Sequence, residues 1–321
     1  MIGLTRNYRR MRKATVMVVG TLLATTVAAC GAGITDNTAR IVHGNWEEVV
    51  AAAEKEGSVT YYTNTAPEQS RPMIAAFEKK YPNIKVNFTR GAADLESKLD
   101  AEISAGLDGA DVVVMTHRQW NIVHAPDFIE PTGLVPALDN WPADAWSVDG
   151  VAPNASVTPM GIIAWNTDRF PEGFADWNDL LTPAVKDNLA MRDHVDATLA
   201  GYLKFLAETN GPDYLTELAK QDPTFYSSVV PMAAAVASNE IGVAAMSVPA
   251  TLVELKAKNA PVDWVIPPKT WAVSAPVTML KKSERPNAAR VFVDFMLSPE
   301  GQAAFNGKGY GASAVPNVPG T

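Results

Sequence analysis

Residues 58–89 read SVTYYTNTAPEQSRPMIAAFEKKYPNIKVNFT, and their changing periodicity sets the fold class. Ser58 to Thr63 is rich in β-branched and aromatic residues, as strands are. After the polar loop Asn64 to Glu68, the apolar residues Met73, Ile74, Phe77 and Tyr81 recur at helical spacing until Pro82 ends the pattern. Ile84 to Thr89 then alternates Ile84, Val86 and Phe88 with Lys85 and Asn87, a strand with one polar face. Upstream, Asn45 and Glu48 have capping-box spacing at the start of a helix that Gly57 closes. Downstream, Asp94 to Ala105 carries Leu95, Leu99 and Ile103 on one stripe, and Ala110 to Met115 is a short continuous apolar run of the kind found in buried parallel strands. Strands alternating with helices in this way predict an α/β fold with right-handed crossovers and helices on both faces of a sheet.

The pattern repeats further along. Gly161–Asn166 and Leu189–Arg192 read as strands, as do Ile241–Met246 and Val262–Ile266. Helical segments are expected from Asp196 through Leu206, then over 212–220, 231–238 and 249–258, two of them with Pro at a plausible first helical position. The residues after Trp271, with the helix Asn287–Leu297, supply material to complete the first α/β lobe. The expected organisation is therefore one lobe of residues 44–158 plus 268–298 and a second of 159–267 plus 299–321, each a mixed, mostly parallel sheet flanked by helices.

The start of the chain reads as an address. Residues 1–29 hold Arg6, Arg9, Arg10, Arg12 and Lys13 and no acid. The apolar run Ala14–Val27 is 14 residues long, short of the about 18–20 that span a bilayer, and it fits a signal-peptide core. The sequence VAAC then places two alanines before Cys30, the single cysteine of the chain, and resembles a bacterial lipobox in which that thiol is lipidated. An ordinary secretory signal with an unmodified Cys30 is the alternative. Residues 30–43 lack helical periodicity and are expected to form a tether.

Charge narrows the function classes. The chain has 27 Lys+Arg and 35 Asp+Glu; without residues 1–29 the balance is 22 against 35, a net charge of −13. So acidic a body suits nucleic-acid backbones poorly. One cysteine excludes a disulfide framework or a thiolate zinc site. No G-x-S-x-G elbow, H-E-x-x-H or Walker loop is present, and His43, His117, His124 and His194 lack metal-ligand spacing. The glycine-rich 307–311 follows a helix where a dinucleotide loop follows a strand.

Three stretches carry a family resemblance: YYTNTAPEQSRPMIAAFEKKYPNIKV, GIIAWNTDRF with WNDLLTPAVKDN, and FVDFMLSPEGQAAF. With them the chain resembles the extracytoplasmic solute-binding lipoproteins of ABC importers, in the branch that includes ferric-binding proteins. The resemblance implies a two-lobed Venus-flytrap fold of class II, capture by lobe closure and delivery to a permease and an ATPase. It also implies a monomer outside the cytoplasmic membrane, with no cofactor and no chemistry on the ligand. Iron-binding members use adjacent tyrosines, but here Ser247-Val248-Pro249 follows the corresponding strand, and Tyr61-Tyr62 lies inside a strand where the two rings point to opposite faces.

Ligands of open α/β sheets bind outside the carboxyl ends of the strands. The candidates there are Thr63, Asn64, Thr65, Arg90, Thr116, His117 and Arg118. In the second lobe they are Asp196 and Thr198 at a helix start, Ser247, and the tryptophans Trp165 and Trp271 as stacking surfaces, with Met115, Met160 and Met246 as an apolar wall. Each has a structural alternative: Arg90 could pair with Asp94 or Glu96, Asp196 could be a plain N-cap, and the large side chains could be core. The function expected is capture of a small organic anion: a carboxylate, an aromatic acid or a phosphorylated compound. A receptor for ferric iron or another cation, and a secreted transferase-like enzyme on a two-lobed scaffold, stand as alternatives.

Overall fold

A computed structural model describes residues 36–91, 94–139, 141–193 and 197–321. The expected signal segment, Cys30 and Asp196 lie outside the described residues.

The first lobe begins with α1 (Trp46–Glu56), β1 (Ser58–Thr63), α2 (Pro67–Lys80), β2 (Lys85–Arg90), α3 (Asp94–Ala105), β3 (Val112–Val114) and α4 (Arg118–Val123). Asn45 accepts from the Glu48 N–H, and Gly57 ends α1 at φ 73°, a left-handed conformation that glycine adopts without steric cost. The chain then adds β4 (Trp146–Val148) and β5 (Ala152–Pro159) before entering the second lobe. That lobe comprises β6 (Ile163–Asn166), β7 (Leu189–Arg192), α5 (Ala197–Asn210), α6 (Tyr214–Ala219), β8 (Thr224–Tyr226), α7 (Val229–Ala237), β9 (Val243–Ala244), α8 (Pro249–Ala257) and β10 (Val262–Val265). The return through β11 (Ala272–Met279) leads to α9 (Pro286–Leu297) and α10 (Pro299–Asn306).

The strand orders are β2-β1-β3-β11-β5-β4 and β10-β6-β9-β7-β8. β1 lies parallel to β2 and β3, and β7 parallel to β8 and β9. β11 runs antiparallel to both β3 and β5, and β6 antiparallel to β9 and β10. The sheets are thus mixed, with a larger antiparallel share than the βαβ pattern implied, because the strands that carry the chain between lobes meet their neighbours head to tail. The helix read as starting at Pro231 begins two residues earlier, so Pro231 is the third residue of α7.

Alternation sorts the core. Tyr61, Val112 and Val114 face a cluster with Phe77 of α2 and Phe292 of α9, while Tyr62 and Val113 face Leu95 and Leu99 of α3. Tyr61 and Tyr62 therefore do point to opposite faces. In the second lobe Ile163 and Trp165 enter the larger core and Ile162 and Ala164 a smaller one.

Two placements differ from the sequence reading. Residues 36–43, expected as tether, are docked on the first lobe: Ile41 is buried, Asn37 donates to the Lys282 carbonyl at 2.8 Å, and Arg290 donates to that of Val42 at 2.6 Å. One buried isoleucine anchors a stretch whose composition otherwise reads as solvated. The terminal segment, assigned to the second lobe, is divided. Phe305 of α10 is buried in the first-lobe core, and Tyr310 in that of the second.

The chain crosses between lobes at residues 160–162 and 266–271 and again between Phe305 and Tyr310, and the first two crossings are bonded to each other. The N–H groups of Met160 and Gly161 donate to the Trp271 carbonyl at 2.9 and 2.8 Å, and the Thr270 hydroxyl donates to the Gly161 carbonyl at 2.6 Å. A Cβ on Gly161 would lie 2.6 Å from the Trp271 backbone nitrogen, a contact no side-chain rotation relieves. Gly161→Ala is expected to cost about 1–3 kcal/mol as an overpacked site, read as a lowered urea midpoint. Unchanged stability would show that the crossing has slack.

Candidate functional site

The carboxyl ends of both parallel strand sets face one cleft, and each strand there passes into a helix. A cavity of about 140 Å3 lies at its narrow end, lined from the first lobe by Asn64, Thr65, Gln69, Arg90, Glu96 and Thr116. From the second lobe come Arg192, Thr198, Ser227, Ser228 and the apolar Val229, Val230, Val248 and Ala250. Thr158, Met160 and Val273 line it from the crossing strands.

The polar wall of the first lobe is tied together internally. Asn64 Nδ2 donates to Thr116 Oγ1 at 2.9 Å, and the Thr116 N–H returns to Asn64 Oδ1 at 3.2 Å, which locks the loops after β1 and β3 to each other. Thr63 is wholly buried behind this wall: its hydroxyl accepts from the Thr65 N–H at 3.0 Å and lies 2.9 Å from Thr65 Oγ1, which continues to Ser70 Oγ at 3.0 Å. Thr63 holds Thr65 in place and is absent from the lining. Gln69 Nε2 donates to Ser156 Oγ and Asn306 Oδ1 at 3.2 and 3.1 Å, joining α2 to β5 and α10.

Arg90 ends β2 and is half-buried; its Nε donates to the Thr65 carbonyl at 3.1 Å. Burial lowers its pKa, with Glu68 and then Asp94 acting in the opposite sense. An arginine so placed keeps its charge and is incompletely solvated, the condition under which a bidentate anion contact is strong. Arg192 occupies the equivalent place at the end of β7. Glu96, the one carboxylate of the lining among the described residues, lies with its Oε2 2.7 Å from His117 Nδ1.

Helix starts supply further donors. The residues before α2, α7 and α8 are Ala66, Ser228 and Val248, and none caps its helix through a side chain. Pro231 in α7 and Pro249 in α8 have no N–H to satisfy. Val229, Val230 and Ala250, whose first-turn N–H groups remain, line the cavity, and the helix dipole favours negative charge at such a helix start.

The cleft widens into a more open cavity of about 510 Å3, which shares Thr116, Thr198 and Val273 with the narrow end. His117, Arg118 and Trp271 line this part. Of the sequence candidates, Asn64, Thr65, Arg90, Thr116, His117, Arg118, Thr198 and Trp271 are thus brought to one cleft. Trp165 is not: it is buried in the second core with its ring 5.6 Å from that of Phe174. Ser247 is also buried behind the wall, its N–H donating to the Met160 carbonyl at 3.2 Å. Met160 lines the narrow end, whereas Met115 and Met246 are core.

Gln69, Thr158, Arg192, Ser227 and Ser228 escaped the sequence reading. Arg192 closes a strand recognised from sequence, so the rule that selected Arg90 also selects it. Ser227 and Ser228 follow β8, whose three residues, two of them exposed, give no periodic signal. Among the described residues no group of three or more His, Cys, Asp or Glu side chains could hold a metal, and no helix is long and apolar enough to cross a membrane.

Comparison with known proteins agrees with this geometry. A sulfate-binding protein of Synechococcus elongatus is 24% identical over 311 residues, covering 91% of this chain and 80% of its own. Among solved structures, the substrate-binding protein of an ABC transporter from Agrobacterium tumefaciens superposes with a TM-score of 0.71 at 18% identity, over 82% of this chain and 81% of its own. The periplasmic binding protein AfuA of Actinobacillus pleuropneumoniae, with exogenous fructose-6-phosphate bound, gives 0.65 at 23% identity, over 82% and 86%. Iron-bound HitA of Pseudomonas aeruginosa gives 0.64 at 18%, over 82% and 88%. The family of bacterial extracellular solute-binding proteins matches residues 35–311, and the chain, with two α/β lobes around a cleft lined from both, belongs to that family of ABC-importer receptors.

Proposed function

We propose that this receptor captures a small organic anion in the narrow end of its cleft and presents it to an ABC permease and its ATPase, without chemistry on the ligand. One observation carries the reading. Arg90 from the first lobe and Arg192 from the second line the same small cavity, into which α2, α7 and α8 open without side-chain caps. Two guanidinium groups and three helix starts make a site for negative charge and disfavour a metal cation. Ser247 in place of the tyrosine pair argues against ferric iron in the same direction. That a relative is a sulfate-binding protein and that AfuA was solved with a sugar phosphate bound are consistent with an anion.

Because its donors come from both lobes, the anion completes its shell only when the lobes are together. It is in effect the bridge across the hinge at residues 160–162 and 266–271. Asn64 and Thr116, already bonded to each other, orient the first-lobe wall, and Val229, Val230 and Val248 exclude water. The protein acts as a monomer outside the cytoplasmic membrane, held by lipid on Cys30.

A thermal-shift screen of sulfate, phosphate esters and carboxylates should reveal a binder, since a ligand of the folded state raises the melting temperature by mass action. Arg90→Ala and Arg192→Ala should then each weaken that binder more than tenfold in calorimetry, at least about 1.4 kcal/mol; unchanged affinity in either would remove that arginine from the site. Cys30→Ser should move the protein from the membrane fraction into the soluble one. Retention on the membrane would mean that the anchor lies elsewhere.

A further inference from the structure

The narrow and wide parts of the cleft differ in chemistry as well as in size. The narrow end is cationic, and the about 140 Å3 it encloses are approached by donors from several directions. The wide end holds about 510 Å3 and is lined by Trp146 and Trp271, with Asp144 and Arg118 as opposite charges and the amides Asn154 and Gln119. Thr116, Thr198 and Val273 belong to both, so a single molecule can occupy the two together.

An inorganic oxyanion fits the narrow end and leaves the wide end to water. An aliphatic or polycyclic body would fill the wide end but would strip water from Asp144, Asn154 and Gln119 without replacing its hydrogen bonds. A ring or short chain bearing hydroxyls meets both demands: its C–H face lies on an indole, and its hydroxyls donate to a carboxylate and exchange hydrogen bonds with amides. Charge selects the head group. A phosphate monoester carries about −1.5 to −2 at neutral pH, which Arg90, Arg192 and three helix starts can balance beside Glu96, the single carboxylate of the lining among the described residues, whereas a carboxylate or a sulfate ester brings a single charge.

We infer that the ligand is the phosphate monoester of a sugar or polyol, its phosphoryl group in the narrow end between the lobes and its hydroxylated body in the wide end against Trp146 and Trp271. This rests on the narrow end being the anion site.

Calorimetry on the mature protein with glycerol 3-phosphate, ribose 5-phosphate, glucose 6-phosphate and inorganic phosphate tests it. At least one ester should bind tenfold or more tighter than inorganic phosphate. Trp271→Ala should weaken that ester at least tenfold and leave inorganic phosphate within threefold. Trp271 also packs on Tyr202, with ring centroids 6.0 Å apart, and its carbonyl accepts the hinge bonds. Asp144→Ala, at an exposed residue, is therefore the second variant, expected to weaken the ester at least threefold. Inorganic phosphate binding as tightly as every ester, or both variants leaving ester affinity unchanged, would overturn the assignment while the anion site stands. If sulfate or a carboxylate binds through Arg90 and no phosphate compound does, the assignment also falls. If no anion of any kind binds, the anion site itself falls with it.

Discussion

The bonded pair of crossings between the lobes is the constraint on which the rest of the structure depends. β5 and β11 run antiparallel up to the pairing of Pro159 with Ala272, and the ladder then passes into the bonds from Met160 and Gly161 to the Trp271 carbonyl. Two extended strands joined in this way form a narrow ribbon between the lobes. The absence of a side chain on residue 161 is what lets the two backbones approach so closely. The ribbon also sets the floor of the cleft, since Thr158, Met160 and Val273 line the cavity from it.

From that floor the electrostatics follow. Beyond residue 29 the chain carries a net charge of −13, yet the narrow end of the cleft collects two arginines, three uncapped helix starts and a single glutamate beside a histidine. Both lobes place parallel strands next to one another with their carboxyl ends toward the cleft, so the positive ends of the following helices converge there whatever the outer surface carries. The net negative charge therefore lies outside the narrow end, whose lining sets Arg90 and Arg192 against Glu96 alone among the described residues.

Much of this was legible in the order of residues. The helices α1, with its cap and closing glycine, α2 and α3 were recognisable because each buries one face and its periodicity records which, whereas β1 and α9, buried on nearly all sides, were recognisable from their residue types. Asn64, Thr65 and Thr116, just past strand ends, and Arg90, which closes β2, were recognisable as residues facing the cleft. The short β4 and β8 were not, since three residues show no alternation and neither lies in the continuous buried apolar run that marked β3 and β9. Trp165 and Ser247 were misplaced for a related reason: a residue at a strand end can turn toward the cleft or into the core, and sequence spacing alone does not choose between them.

The sequence by itself determined the α/β class, the repetition that makes two lobes and the acidity of the body. These are local or compositional properties, written in spacing and charge. Only the tertiary structure decided that Arg192 joins Arg90, that α7 and α8 open beside α2, and that the cleft has a cationic narrow end and a wide end with two indoles. Those pairings bring together residues about a hundred or more positions apart, and which of them meet depends on the strand order of two sheets and on the angle set by one ribbon. The order of residues along the chain does not record that information in any single stretch.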